Sequence, residues 1–486
     1  MTESVFPTPP GAVRAAAPLV EPLLASVQPL DVFRRLAQQR HCVFFDSVLR
    51  HPTLGRYSFV AADPFAYLQM ASDDDDALAA LTGQLKRFPT ESLPELPPFQ
   101  GGAAGLFSYD LNRQLERLPP PGVDEFGVPA LAVGLYDVVI AFDHQRNESW
   151  IISQGLPETE PTSRTRRAAR RLAAAKEWLR VGTAGQASSG TRRMGSDQSL
   201  RPAQLCAQYK TGVLDDLTSN FSEAGYQQAV ERAIEYIHAG DVFQVNLAQR
   251  LLYPARDDSV SLYCRLRERN PATFAGYFDT GEFQIVSASP ERFLSVVDRE
   301  VEARPIKGTR GRSRHPEADL FAADDLRNSE KDLAENVMIV DLLRNDLSRA
   351  CQADSVRVTQ LCQLETYQTV QHLVSAVRGR LRDEHTALDL LRRAFPGGSI
   401  TGAPKVRAMQ IIAELEPTAR GAYCGCLGYV GLDGSMDTSI LIRTVTAGRG
   451  WWQVPVGGGI VAQSVPRLEY EETWHKAAGM LRAFEP

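Results

Sequence analysis

Two pairs of carboxylates are spaced for joint work. Asp332 and Glu335 stand in Glu330-Lys331-Asp332-Leu333-Ala334-Glu335-Asn336, and Glu469 and Glu472 in Leu468-Glu469-Tyr470-Glu471-Glu472-Thr473. On a helix, a spacing of three puts both members of a pair on one face. Two such helices facing each other would offer four hard oxygen donors. That set suits magnesium, which takes one or two carboxylates, keeps waters and lets an anionic substrate complete its octahedron. Acidic residues in a first helical turn also favour the macrodipole, so either pair alone reads first as an ordinary helix start.

Lys307 is the second candidate, in Pro305-Ile306-Lys307-Gly308-Thr309. Proline and glycine fix the backbone on either side of it. Arg304, Arg310 and Arg312 lie close in sequence and would lower the lysine pKa if their charges converge, leaving a nucleophilic amine. The alternative is an exposed strand end with solvated cations. Glycine-rich loops form the third group. Pro396-Gly397-Gly398-Ser399-Ile400-Thr401-Gly402-Ala403-Pro404-Lys405 opens a helix, with Pro404 at its first turn. It fails as a phosphate loop, because Lys405 does not directly follow a glycine and Val406 replaces Ser/Thr. The amides of Val456-Gly457-Gly458-Gly459-Ile460 are open to a carboxylate, or its glycines merely permit tight packing. Neither a Gly-x-Ser-x-Gly elbow nor a glutamine-hydrolysing Gly-x-Cys-x-Gly with downstream His and Glu occurs. Gly425-Cys426-Leu427-Gly428 is one residue too short, and the eight histidines form no metal-spaced cluster.

The elements that position these residues are partly legible. From Val43 to about Ser153, short apolar runs such as Gly55–Val60 and Leu131–Phe142 alternate with turn signals and predict strands. Ser222 caps a predicted helix whose Tyr226, Val230, Ile234 and Ile237 share a face, ended by Gly240. Phe243, Val245 and Leu247 then alternate with Gln244, Asn246 and Ala248, predicting a strand with one polar face. The first 20 residues read as a loose arm, 21–156 as an N-terminal domain and 221–486 as the domain carrying the chemistry. Between them, 157–220 reads as a linker: a solvated basic helix with Arg164, Arg166, Arg167, Arg170, Arg171, Lys176 and Arg180, then a Gly/Ser/Thr-rich tether.

With 486 residues, 43% hydrophobic and 23% charged, the chain has globular composition, which excludes collagen-like and wholly disordered classes. A net charge of −6 argues against a nucleic-acid partner. No apolar run reaches the ~18 residues of a membrane span, and the N-terminus lacks a secretory signal's basic start and apolar stretch. Seven cysteines, with only Cys424 and Cys426 close together and not as Cys-x-x-Cys, fit a reduced cytoplasmic protein without structural zinc.

Taken in order, the motifs resemble those of the chorismate-utilising enzymes. They read Gly240-Asp241-Val242-Phe243-Gln244-Val245-Asn246-Leu247, Ser289-Pro290-Glu291-Arg292, Pro305–Thr309, Met338-Ile339-Val340-Asp341-Leu342 with Arg344-Asn345-Asp346, Gly402–Lys405, Tyr423 with Ile442-Arg443-Thr444, the Gly457–Gly459 run and Glu469–Glu472. The resemblance covers about Phe221 to Lys476, and Gly101–Asp110 extends it into the N-terminal part. It implies an α+β fold of large antiparallel sheets packed face to face with helices outside, the N-terminal strands sharing those sheets.

Within the family, isochorismate and salicylate synthases carry a water-activating lysine where Gln244 stands, so the resemblance implies an ammonia-using member. Anthranilate synthase large subunits carry alanine where Lys307 stands, whereas aminodeoxychorismate synthase component I carries lysine. The chain resembles the latter, although Arg310-Gly311-Arg312 and Ser464-Val465-Pro466 depart from that branch. The implied reaction is amination of chorismate at C4 to 4-amino-4-deoxychorismate, for 4-aminobenzoate and folate synthesis. By the same resemblance Lys307 is the nucleophile, and Glu291 and His372 move protons. Glu335 and Glu472 hold Mg2+ with Asp332 and Glu469 in support. Gln244, Gly308, Thr309, Ser399, Tyr423, Arg443, Gly457, Gly458 and Gly459 line the substrate site. The absent glutaminase triad implies a separate glutamine amidotransferase supplying ammonia. The tryptophan pocket of the anthranilate branch has its counterparts in Phe44-Phe45-Asp46-Ser47 and Asn270-Pro271-Ala272-Thr273-Phe274. Asp46 can still pair an amino group, but bulky Phe45 reshapes that site, so strong feedback by tryptophan is not expected.

Overall fold

The structure is a computed structural model describing residues 17–50, 54–90, 92–180, 199–313, 315–367 and 370–485. Two antiparallel sheets dominate it. The 13-stranded sheet runs from Leu19–Pro22 through Glu148–Ser153, Val138–Asp143, Tyr57–Ala61 and Val43–Asp46 to Phe274–Asp279, Phe283–Ser289, Thr444–Gly448, Trp451–Ile460 and Gln244–Pro254. The 10-stranded sheet runs from Ile306–Gly311 through Val370–Arg380, Glu300–Ala303, Arg292–Val297, Met436–Ile440 and Cys426–Gly431 to Gly102–Phe107, Leu131–Tyr136 and Ala66–Met70. N-terminal strands enter both. Ala275 pairs with Asp46 in one sheet, and Leu427 with Leu106 in the other. Two separable domains are therefore not what the chain forms.

Strand alternation builds the layers. In Gly102–Phe107, Ala104 and Leu106 join Phe59, Phe99, Phe278, Leu427 and Tyr429 in one core holding residues of both sheets. Ala103 and Phe107 turn the other way, into a core shared with Ile339 and Val340 of the Glu330–Ser348 helix. A third core sets Phe33 of the Pro29–Leu36 helix and Met480 of the Pro466–Leu481 helix against the larger sheet. The order is helices, sheet, sheet, helices, as the resemblance implies.

Two expected boundaries are corrected. Leu19–Pro22 is not part of a loose arm, because it pairs with Glu148–Ser153; the arm's residues 1–16 lie outside the described residues. The basic stretch does form the Pro161–Arg180 helix, but one face of it is packed rather than solvated. Arg164 is buried and donates to the Gln154 carbonyl, while Arg171 reaches Asp137 at 3.1 Å and Asp63 at 2.8 Å. Asp137 is a buried acid that needs these cations. Further on, Thr218–Ser219 pairs with the Gln244–Pro254 strand, so the segment ends inside the sheet. The Gly/Ser/Thr-rich part (181–198) lies outside the described residues.

Candidate active site

Lys307 and His372 are brought together by a strand pair with one irregularity. Lys307 is opposite Leu373 and Thr309 opposite His372, so Gly308 is the extra residue of a β-bulge. Gly308 has φ +69°, the left-handed region glycine tolerates. The bulge lets Thr309 Oγ1 meet His372 Nδ1 at 2.8 Å. Burial and the Arg443 charge take the His372 pKa down to about 4, against the opposing pull of a bond to the Gly308 backbone and the Glu365 charge. His372 is accordingly neutral at physiological pH.

The three arginines near Lys307 do not converge on it. Arg304 pairs with Glu365, Arg310 with Asp325 and Asp332, and Arg312 with Asp319. Lys307 Nζ instead lies 3.7 Å from Glu335 and 3.4 Å from the Ser399 carbonyl it donates to. Nor is this an exposed strand end, since the side chains of Lys307 and Glu335 are only 14% and 13% exposed.

Ser399 links the lysine to a buried acid. Its hydroxyl donates to Glu291 Oε1 at 3.2 Å. Burial pushes the Glu291 carboxyl up to about 7, against the pull of Lys307, the Ile306 amide, Ser399 and Arg443. A carboxyl poised there can give or take a proton near neutrality. Arg443 sits at φ +51°, a backbone position rare for arginine.

The two acidic helices are as expected: Glu330–Ser348, capped by Ser329, and Pro466–Leu481. They are bridged by Lys331 of the first and Glu469 of the second, 3.4 Å apart. Lys476 pairs with Glu472 at 2.6 Å and donates to the Gly457 carbonyl. Burial raises the Glu335 carboxyl, Lys307 and Lys331 oppose it, and Asp332 and Glu472 crowd it further. Burial also works against Glu472, but Lys476 holds that carboxyl below its usual range. Among the described residues, no three His, Cys, Asp or Glu side chains form a metal cage. Hard carboxylates crowded around a Glu469 Oε2 that lacks a hydrogen-bond partner nevertheless fit a cation bound through one or two of them.

Gly457–Gly459 belong to a strand, not a loop. They pair with Ala248, Leu247 and Asn246 along one edge. The neighbouring strand Thr444–Gly448 pairs only as far as Gln453, leaving the other edge of 454–460 free of it. The missing side chains matter. A Cβ on Gly459 would sit 2.0 Å from Gln244 Nε2, and one on Gly458 would face Glu469, Lys476 and Glu472 at 3.4–3.5 Å. Gln244 is fully buried and neither polar atom of its amide has a partner. The polar face predicted for its strand is thus buried like the apolar one. Tyr423 is buried as well, with the Arg420 guanidinium 5.7 Å from its ring centre.

Several pairings went unnoticed in the sequence. Lys331 and Lys476 neutralise the acidic helices, and Lys405 ties the glycine-rich segment down through Asp346 at 2.7 Å. Only the four-residue helical spacing of Glu472 and Lys476 offered a signal.

Comparison with known proteins completes the argument. The family described as chorismate binding enzyme matches residues 40–482. Aminodeoxychorismate synthase component 1 of Bacillus subtilis is 37% identical over 471 residues, covering 94% of each chain. Anthranilate synthase component 1 of Thermus thermophilus is 42% identical over 397 residues, 82% of this chain and 80% of that one. The crystal structure of anthranilate synthase component I from Streptococcus pneumoniae superposes with a TM-score of 0.72 at 31% identity, covering 89% of this chain and 93% of that one. With these matches spanning both sheets and the whole site, the chain belongs to the chorismate binding enzyme family and is a chorismate-utilising enzyme.

Proposed function

We propose that this enzyme aminates chorismate at C4, as component I of an aminodeoxychorismate synthase that draws ammonia from a glutamine amidotransferase partner. Relatives of comparable identity carry both branch names, so the names alone do not choose. The observation that carries the reading is Lys307, a largely buried amine beside Glu335 and the Ser399 carbonyl, at the position where the resemblance implies alanine in the anthranilate branch. The component 1 names of the relatives fit a second, ammonia-supplying chain.

The residues make the chemistry intelligible. A ring hydroxyl is a poor leaving group, and Glu291, with its carboxyl near 7, is placed to protonate it so that it departs as water. The Lys307 amine adds at C2 as the C4–O bond breaks. Ammonia then attacks C4, and Lys307 leaves with the electrons of its C2–N bond. Both ring double bonds shift in the first displacement and return in the second, which puts the amino group where the hydroxyl was. Arg443, with its planar fork, suits a substrate carboxylate. Glu335 and Glu472, supported by Asp332 and Glu469, would hold magnesium, which when bound draws electrons toward the substrate's ring carboxylate. His372, neutral and bonded to Thr309, can carry a proton without competing for the acid's role.

The test is product analysis of the purified chain with chorismate, magnesium and ammonium salts. The expected product is 4-amino-4-deoxychorismate, with no pyruvate released and with glutamine unable to replace ammonium. Anthranilate with stoichiometric pyruvate would place the chain in the other branch. No consumption of chorismate would leave it a binder.

A further inference from the structure

One buried ion pair lies outside the site yet holds three of its pieces. Arg420 and Glu416 are 3% and 5% exposed and meet as a two-pronged fork, Nη2 to Oε1 at 2.6 Å and Nε to Oε2 at 2.9 Å. Arg420 Nη1 also donates to the Ile400 carbonyl at 3.0 Å, one residue beyond Ser399. Its Nη2 donates to the Asn246 carbonyl at 2.9 Å, two residues beyond Gln244. Glu416 Oε1 accepts the Ala248 amide of that same strand. The guanidinium lies 4.8 Å from the Tyr109 ring centre and 5.7 Å from that of Tyr423. The N-terminal part closes around the turn: the Tyr109 amide donates to the Gly421 carbonyl, and Asp110 Oδ2 accepts the Gly421 amide, each at 2.8 Å.

Desolvating two charges is expensive, and an apolar pair of similar volume often stabilises a core as well. What an apolar pair cannot do is donate in fixed directions to two carbonyls on separate segments. We infer that Arg420, oriented by Glu416, is a positioning residue that sets the Ser399 turn, the Gln244 strand and the Tyr423 ring relative to one another. The Asn246 amide donates to the Thr401 carbonyl at 2.7 Å, so the strand and the turn are also joined directly beside the fork. Lysine keeps the charge but offers no planar fork. The functional half of this inference rests on the chorismate reading; the geometric half does not.

The experiment pairs Arg420→Lys and Glu416→Gln with hydrogen exchange and chorismate turnover, well below the melting midpoint of each variant. In both, exchange of the amides in 244–250 and 398–403 should rise about tenfold, while that of the distant Val138–Ser153 hairpin stays unchanged. Turnover per folded molecule should fall about a hundredfold, the order expected when reacting groups are displaced by about 1 Å. Ser399→Ala should add little to Arg420→Lys, since the turn it acts from is already released. Exchange that rises everywhere, or only at the hairpin, overturns the positioning role. Local exchange together with unchanged turnover also overturns it, because the released segments would then not be those the reaction needs. A wild type that consumes no chorismate, with local exchange in the variants, defeats the functional reading and leaves the structural hub standing.

Discussion

Lys307 is the residue on which the proposed reaction turns, and its neighbours separate two roles that share a charge. Glu335, 3.7 Å away, is a hard anionic donor, whereas an ammonium adds nothing to a hard-cation site. Lys307→Ala should therefore keep magnesium and chorismate binding near wild type, measured by calorimetric titration, while the covalent route is lost. Stalling the wild type without ammonia should leave a chorismate-derived adduct on the peptide containing Lys307 and none in the variant; equal adduct in both proteins would reduce Lys307 to an ordinary cation. Glu335→Gln or Glu472→Gln should instead weaken magnesium dependence. Glu291 yields the second prediction. Lys307, Arg443 and Cys424 surround it; burial takes the Cys424 thiol up to about 12 and His372 down to about 4, so neither titrates across neutrality. If Glu291 acts as the acid, its protonated form is the active one. Turnover at saturating free ammonia should then fall as pH rises through about 7, and Glu291→Gln should lower it about 10²–10⁴-fold and flatten that limb. The same shift bears on stability. A carboxyl raised in the folded state binds a proton more tightly than in the unfolded chain, so its contribution is present below the ordinary carboxylate pKa and is lost as pH rises through about 7. A rate limb that rises with pH, with stability unchanged across that window, would contradict both halves.

Single elements show why a spacing becomes a site. The Gly308 bulge moves Thr309 into register with His372, and a Cβ there would meet Leu326 Cδ1 at 2.6 Å and Asp332 Cγ at 3.0 Å. Gly308→Ala should thus cost about 1–2 kcal/mol from the left-handed backbone alone, with more from the contact, lowering both the melting midpoint and turnover. A variant as stable and as fast as wild type would mean the bulge can relax without consequence. Much of this element structure was legible. Ser222 does cap the Glu223–His238 helix, its hydroxyl accepting the Gly225 amide at 3.0 Å, and the two acidic pairs do lie on helices. Periodicity failed where long-range pairing decides. The triple glycine looked like a loop because nothing in its own sequence announces the Gln244–Pro254 strand beside it. Arg304, Arg310 and Arg312 looked like a cluster around Lys307 because their partners Glu365, Asp325 and Asp319 are named only by the fold. Gln244 gave no local sign of its unpartnered burial, for which the absent Cβ of Gly459 leaves room.

Across the whole molecule, what matters is that the two halves of the sequence share both sheets. A cavity of about 280 Å³ opens between them, lined by Phe45, Asp46, Tyr57, Phe274, Arg292 and Tyr429 among others. Both its acids are already engaged: Asp46 accepts from Arg267 Nε at 2.5 Å and from the Tyr263 hydroxyl at 3.0 Å, and Asp437 pairs with Arg292 at 2.9 Å. An amino group entering there would have to break one of those pairings, so tryptophan at micromolar concentration should leave turnover unchanged; inhibition in that range would refute the reading. The shared sheets have a sharper consequence for folding. Val43–Asp46 lies between Tyr57–Ala61 and Phe274–Asp279, and Gly102–Phe107 between Leu131–Tyr136 and Cys426–Gly431. Cutting the chain between the halves strips a strand partner from each sheet and exposes Phe59, Phe99, Phe278 and Tyr429, which pack together across the cut. Open edges bearing apolar faces aggregate. Residues 221–486 expressed alone should therefore be insoluble or lack a cooperative transition, whereas the intact chain should unfold in urea with coincident fluorescence and circular-dichroism midpoints. Co-refolding 17–180 with 199–486 should restore chorismate turnover, because those two pieces contain every strand among the described residues that pairs across the division. A 221–486 fragment that folds, melts cooperatively and binds chorismate by itself would show that the C-terminal strands close their sheets without the N-terminal ones, and that the shared edges are contacts between finished domains.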